Sequence, residues 1–233
     1  MFGFRLKLTL FVIALLPVLI SLGIWQLSRY EEKKQLEQTY ELHQSLEPAT
    51  LSQARQYEDP LYLPVTVSGH YDPEHEFLVD NQIYQQQAGY DVLTPFQTVN
   101  GQWVLINRGW IPVGDRAVMP KMETDTHQVT LTGIAYKPLG ESFLLGEDVW
   151  NEGWPKRIQS IDLSKISKSL NLTIPDFFMV LNDGEPGIKQ VRPLVTHMTS
   201  EKHRGYAFQW FAMVLVLLSL YGYQMIRAVK KQN

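Results

Sequence analysis

The chain has 233 residues and a net charge of −3, 19% of its residues are charged, and it contains no cysteine. That balance offers no basic field for nucleic acid. The missing thiols exclude disulfides, thiolate metal centres, thiol nucleophiles and covalent c-type haem attachment, and they suit a compartment in which stray thiols would be oxidised.

Residues 1–7, MFGFRLK, read as a short tail. Leu8–Leu27 follows as LTLFVIALLPVLISLGIWQL, with no charged residue. About 20 such residues span the roughly 30 Å of hydrocarbon in one helix, so a transmembrane helix is predicted over 8–28. The run ends in Trp25-Gln26-Leu27, not in a small-residue cleavage site, and continues into charged helix formers. It therefore reads as an uncleaved anchor. Glu, Gln, Lys, Leu and Tyr dominate residues 29–46 and predict a solvated extension of the same helix, stopped by Pro48.

Beyond Pro48 the pattern changes. Leu63, Val65 and Val67 alternate with polar residues before Gly69, and further strands are predicted at Glu76–Asp80, Val92–Phe96, Trp103–Asn107, Val129–Gly133 and Asp176–Leu181. Gly89 and Thr94-Pro95 read as the start and end of a strand, and Asn107-Arg108-Gly109-Trp110 as a turn into Pro112. Val65–Gly69 and Val129–Gly133 echo one another and could be equivalent strands closing a barrel. A helix fits Asp162–Leu170, capped by Asp162, with Leu163, Ile166 and Leu170 on one face. Sequential strands with few helices predict an antiparallel, barrel-like sheet within a β-rich α+β domain.

Tyr206–Ile226, YAFQWFAMVLVLLSLYGYQMI, is the second uncharged run and predicts a second transmembrane helix over 206–226, followed by a tail at 227–233. Arg5, Lys7, Arg227, Lys230 and Lys231 favour both tails on the cytoplasmic side. Arg29, Lys33, Lys34, Lys202 and Arg204 lie on the other flanks, but a loop as long as 29–205 translocates largely regardless of its charge. The expected protein is a multi-pass protein of a bacterial inner membrane, with residues 29–205 in the periplasm.

Candidate chemistry is sparse. His70, Asp72, Glu74, His75 and Glu76 crowd a segment that could hold a metal, but Asp72-Pro73-Glu74 reads more simply as a polar hairpin turn. No Ser-His-Asp order, acid pair or phosphate-cradling loop is present, so no enzyme is expected. Arg108 and Trp110 could face a partner protein, or Arg108 could be buried and paired with Asp91 or Asp115. His203 lies just ahead of the second span. Continuing that helix backward puts Tyr206, Ala207 and Trp210 on its face, where an imidazole could ligate a flat macrocycle at the membrane boundary. Arg204 or Arg29 could pair with carboxylates of that ring. On the first span, Leu22, Trp25 and Arg29 share a face beside Gly23, which permits close helix approach, and Gln26, a polar group needing a partner; Trp25 and Trp210 could flank one slot. On the residues alone both sets read more simply as an aromatic belt with interfacial anchors and a packing glycine, His203 then being a solvated interfacial histidine.

Four stretches together resemble the Surfeit locus protein 1 family. They are Leu22-Gly23-Ile24-Trp25-Gln26-Leu27-Ser28-Arg29, Gly89-Tyr90-Asp91-Val92-Leu93-Thr94-Pro95-Phe96, Val104-Leu105-Ile106-Asn107-Arg108-Gly109-Trp110-Ile111-Pro112 and His203-Arg204-Gly205-Tyr206-Ala207-Phe208-Gln209-Trp210-Phe211. The resemblance implies a non-enzymatic assembly factor for haem-copper cytochrome c oxidase, with two transmembrane helices around a domain outside the cytoplasm. It implies delivery or holding of haem, haem a above all, for oxidase subunit I, with haem a synthase as a further partner beside the lipid bilayer. It also places the family's proposed haem ligand at His203, around which Trp25, Arg29, Tyr206 and Trp210 are expected to shape the site. Here Lys202 and Arg204 flank that histidine, where the family often carries Asn or Pro and a further apolar residue. The alternative is a cofactor-free membrane chaperone that stabilises subunit I.

Overall fold

The structure, a computed structural model, describes residues 2–120, 122–124, 126–138, 148–191 and 199–230. Met1 and residues 231–233, the outermost parts of the two expected tails, lie outside them. The chain divides into two compact units, one formed by its two ends and the other by Thr39–Leu194.

The first unit is a helix pair. Helix α1 (Phe2–Gln44) is unbroken through Pro17 and carries the expected solvated extension to within a few residues of Pro48. The second helix of the pair begins at Ser200, ahead of Tyr206, and runs to Lys230. Both are long and apolar enough to cross a membrane. On α1 the buried positions are Val12, Leu19, Gly23 and Gln26, at steps of three, four or seven; on the other helix they include Ser200, His203 and Ala207. That spacing is the seam of two helices packed side by side. Contacts at Thr9 with Tyr221, Gly23 with Phe211, Gln26 with His203 and Glu37 with Ser200 make the pair antiparallel. Leu10, Phe11, Ile13, Val18, Ile24, Phe208 and Leu215 cover the outside and are exposed. An apolar coat of that size is costly in water and stable in hydrocarbon, so the pair suggests a membrane protein.

The second unit is a sheet domain. It contains β1 (Ala49–Thr50), α2 (Leu51–Ala54), β2 (Pro64–Tyr71), β3 (Phe77–Tyr84), β4 (Gln87–Thr98), β5 (Trp103–Pro112), β6 (Val129–Tyr136), β7 (Lys156–Ile158), α3 (Leu163–Leu170) and β8 (Phe178–Leu181). The second helix of the pair is α4 in this order. Among the described residues the strands form one sheet in the order β1-β2-β6-β8-β5-β4-β3-β7, and an added β2–β4 pairing closes β2, β6, β8, β5 and β4 into a barrel. Val65, Val67, Phe96, Val104, Ile106, Leu131, Met179 and Leu181, drawn from all five of those strands, fill its interior. The alternate residues Leu93, Leu105 and Phe178 join Phe77, Val79 and Ile158 in a second core, closed by Ile166 of α3. Helix α3 forms where expected: the Asp162 carboxylate accepts the Lys165 N–H at 3.0 Å, and Asn171 ends it in the left-handed conformation.

Several expectations are corrected. The sheet is not wholly antiparallel, because β1–β2, β3–β7 and β5–β8 are parallel pairs. The long connection through α3 brings β8 back in the direction of β5, which a short turn could not do. The segment 72–76 is a turn but not a hairpin: β2 and β3 do not pair with each other, and both pair with β4. Strand β4 also runs straight through Pro95. That residue lies between the stretch paired with β3, which ends at Leu93, and the stretch paired with β2, which starts at Phe96, so its missing N–H interrupts neither ladder.

The expected turn at Asn107–Trp110 is a β-bulge inside β5. Asp91 opposes Trp110 and Leu93 opposes Asn107, so one extra residue is accommodated, with Gly109 at φ 96°. Asn107 Oδ1 accepts the Gly109 N–H at 2.8 Å, as it would in a turn. The echoing segments pair with each other, Val65 opposite Gly133 and Gly69 opposite Val129. Each glycine sits where a further strand approaches: a Cβ at Gly69 would stand 1.9 Å from the Gln97 carbonyl oxygen, and one at Gly133 2.4 Å from that of Val180.

Candidate functional site

In the helix unit the polar centre is a side-chain pair. His203 occupies the first turn of α4 and is 7% exposed; Gln26 of α1 is 9% exposed. His203 Nδ1 lies 2.7 Å from Gln26 Oε1. An amide oxygen can only accept, so in a neutral imidazole this contact puts the proton on Nδ1 and the lone pair on Nε2. The neighbouring residues are small or cap the helix. Ala207, one turn along, is 1% exposed. Gly23, on the Gln26 face, lies so close to Phe211 that a Cβ would stand 2.7 Å from its ring. Glu37 Oε1 accepts the Ser200 N–H at 2.9 Å and Glu37 Oε2 accepts the Ser200 hydroxyl at 2.5 Å, which satisfies the start of α4 with a carboxylate from the other helix.

The structure joins His203 to Gln26, a residue outside the expected set of Trp25, Arg29, Tyr206 and Trp210. Trp25 is 50% and Tyr206 45% exposed, and Trp210 is half-buried. Arg29 is exposed, stands 6.0 Å over the Trp25 ring and donates to Glu32 at 2.6 Å. Arg204 pairs with Glu201 at 2.5 Å and lies 6.0 Å over the Tyr30 ring. Gln26 is absent from the expected ligand set, although a lone amide within an apolar run is a visible signal that a partner exists.

The sheet unit holds a second polar centre, around Arg108, which is fully buried. Its partner is Glu76, not Asp91 or Asp115: Nη1 donates to Glu76 Oε1 at 2.9 Å and to Thr124 Oγ1 at 2.5 Å. Thr124 and Thr94 also donate to Glu76 Oε1, at 2.9 and 3.2 Å. Arg108 Nε donates to the Gly187 carbonyl at 2.9 Å, and the guanidinium stands 5.0 Å over the Tyr71 ring. Burial pushes the Glu76 carboxyl up, against the opposing pull of Thr124, Arg108 and Thr94, and burial also lowers the Arg108 guanidinium. Burial raises the Tyr71 phenol as well. Trp110 is 3% exposed, so neither Arg108 nor Trp110 is presented to a partner protein. The centre ties together three strands and the 187 loop, and it is closed to solvent.

The histidine-rich turn is ordinary. His75 Nδ1 lies 2.7 Å from Asp72 Oδ2, Glu76 is committed to Arg108, and the described residues contain no group of three or more ligands able to hold a metal ion.

Comparison with known proteins is consistent along most of the chain. Residues 13–215 match the SURF1 family. A SURF1-like protein of Rickettsia felis is 25% identical over 222 residues, covering 93% of this chain and 96% of that protein. One from Rickettsia prowazekii is 26% identical over 228 residues, covering 93% and 88%. An uncharacterised SURF1-like protein of Mycobacterium tuberculosis is 23% identical over 179 residues, 75% of this chain and 65% of its own length.

Proposed function

The chain belongs to the SURF1 family, which is generally linked to oxidase assembly, and from that premise we propose that it is a non-enzymatic assembly factor for haem-copper cytochrome c oxidase. In this reading it is a multi-pass protein of the bacterial inner membrane, with its sheet domain in the periplasm. It takes haem, haem a in particular, as cargo on His203 and passes it to subunit I, with haem a synthase as the upstream partner. The observation that carries the reading is the Gln26–His203 bond, because it leaves Nε2 as an unprotonated donor of the kind that ligates haem iron. His203 alone would hold the haem, and attachment through a single side chain would suit a carrier that must release its cargo. Trp25, Arg29 and Tyr206, expected to shape the site, lie on exposed faces of the pair and stay available to a bound ring.

A second reading is favoured by one observation. His203 and Gln26 are nearly enclosed, as a polar pair that only holds two helices together would be. The chain would then be a cofactor-free chaperone of subunit I. Haemin added to the purified, detergent-solubilised protein separates the two. A Soret band that shifts on mixing and is lost in His203→Ala supports the carrier. A spectrum identical for both proteins overturns it and leaves the chaperone.

A further inference from the structure

We infer that Gln26 is the positioning residue of the site: it selects the tautomer of His203 that offers Nε2 to a metal. The inference rests on the haem reading above but is carried by different observations. The contact is short, 2.7 Å, and joins two side chains that are 91% or more buried. In such a place water does not compete for the imidazole N–H, so the amide acceptor at Nδ1 decides which nitrogen keeps its proton. Neutral imidazole in water divides between two tautomers, and only one has a lone pair on Nε2. An acceptor on Nδ1–H also raises the donor strength of Nε2 and fixes the ring plane, as second-layer acceptors do for histidine ligands of metals.

The surrounding side chains hold the amide in place. Gly23 lies one turn before Gln26 and has no side chain, so the Phe211 ring packs against the α1 backbone and brings the helices close enough for the two side chains to meet. At the other end of the contact, the Glu37 carboxylate fixes Ser200, one turn before His203. The histidine is thereby held between a capped helix start and a close helix crossing, a geometry that sets where its ring can lie. The small side chain of Ala207 adds no competing polar group beside it.

The test reads the cofactor-free protein first. With 15N-labelled histidine, the His203 nitrogens are assigned by their loss in His203→Ala. The expected spectrum has a protonated Nδ1 and a bare Nε2, and Gln26→Leu, which removes the acceptor at nearly constant volume, turns it into a mixture of tautomers. Haemin titration then shows an affinity lowered about 10–100-fold in Gln26→Leu and retained in Gln26→Glu, whose carboxylate accepts the same N–H. A proton on Nε2 in the wild type, or a Gln26→Leu variant with unchanged tautomer and affinity, overturns the inference. Failure of Gln26→Glu to bind haemin while it keeps the wild-type helix content overturns it too. A wild-type protein with the expected tautomer and no haemin binding overturns the haem reading instead and leaves the Gln26 contact as the determinant of the imidazole.

Discussion

The Trp110 indole lies against Gly89 so closely that a Cβ on residue 89 would stand 2.3 Å from Trp110 Cε2 and 2.2 Å from the Ile111 carbonyl oxygen. The same indole donates from Nε1 to the Gln82 carbonyl of β3 at 2.8 Å and packs on Tyr84 at a centroid distance of 5.7 Å. Two of the four stretches that carry the resemblance thus interlock: the glycine of one is the floor on which the tryptophan of the other rests.

Gly89→Ala therefore destabilises the sheet domain by about 1–3 kcal/mol, since a methyl group has to displace backbone as well as the ring. Thermal unfolding of the solubilised protein measures it, with an expected fall of about 2–4 °C per kcal/mol. Adding Trp110→Ala does not restore the midpoint, because the Ile111 carbonyl still obstructs the methyl group. A wild-type midpoint in Gly89→Ala would disprove the account.

Arg108→Ala leaves the Glu76 carboxylate buried without its cation and is expected to cost about 3–5 kcal/mol. Replacing both partners, as Arg108→Met with Glu76→Leu, recovers most of that loss, because an apolar pair has no desolvation penalty to offset. Denaturant midpoints of the single and double variants form the check. A double variant as unstable as Arg108→Ala would contradict a sealed charge pair.

The Glu76 carboxyl also predicts a pH dependence. Its pKa in the folded protein is raised above the ordinary 4.5, so folding favours the protonated form. The associated stability is full below the ordinary value and is lost as pH climbs through the raised one. The wild-type melting temperature should therefore fall relative to Glu76→Gln as pH increases through that window. Parallel pH profiles for the two proteins would show that Glu76 is not the group responsible.

The absence of cysteine makes the membrane orientation directly measurable. Val149, 78% exposed in the sheet domain, can carry a single thiol as Val149→Cys. In spheroplasts a membrane-impermeant maleimide should label that site without lysis, whereas Lys230→Cys at the end of α4 should react only after lysis. The reverse pattern would place the domain in the cytoplasm.

Much of this architecture is legible locally. The helix pair shows itself because nothing but a long uncharged run is needed, and α3 because Asp162 both stops the preceding chain and caps the helix. Six of the strands reveal themselves, β2 by alternation and the others as short runs rich in β-branched and aromatic residues, but β1 and β7, of two and three residues, are too short to show any period. From sequence the bulge at Gly109 reads as a turn for a physical reason: both can use a residue at positive φ and an Asx hydrogen bond, and only the opposite strand distinguishes them. Long-range partners were the least accessible. Glu76 lies far from Arg108 in sequence, and its carboxylate looked like one more charge in a polar turn. Gln26 was recognisable as a group in need of an acceptor or donor, but that His203 answers it follows only from how α1 and α4 cross.

Strand β8 lies between β6 and β5, although it is the last strand among the described residues. During synthesis the barrel is consequently a cask lacking one stave until Leu181 has left the ribosome, with the backbone edges of Val129–Tyr136 and Trp103–Pro112 unfilled. Closure follows the anchoring helix by almost the whole length of translation and precedes the exit of the second helix by only a short interval. The last stave is thus made before the second helix, so the domain has all its strands before the two ends of the chain can pair.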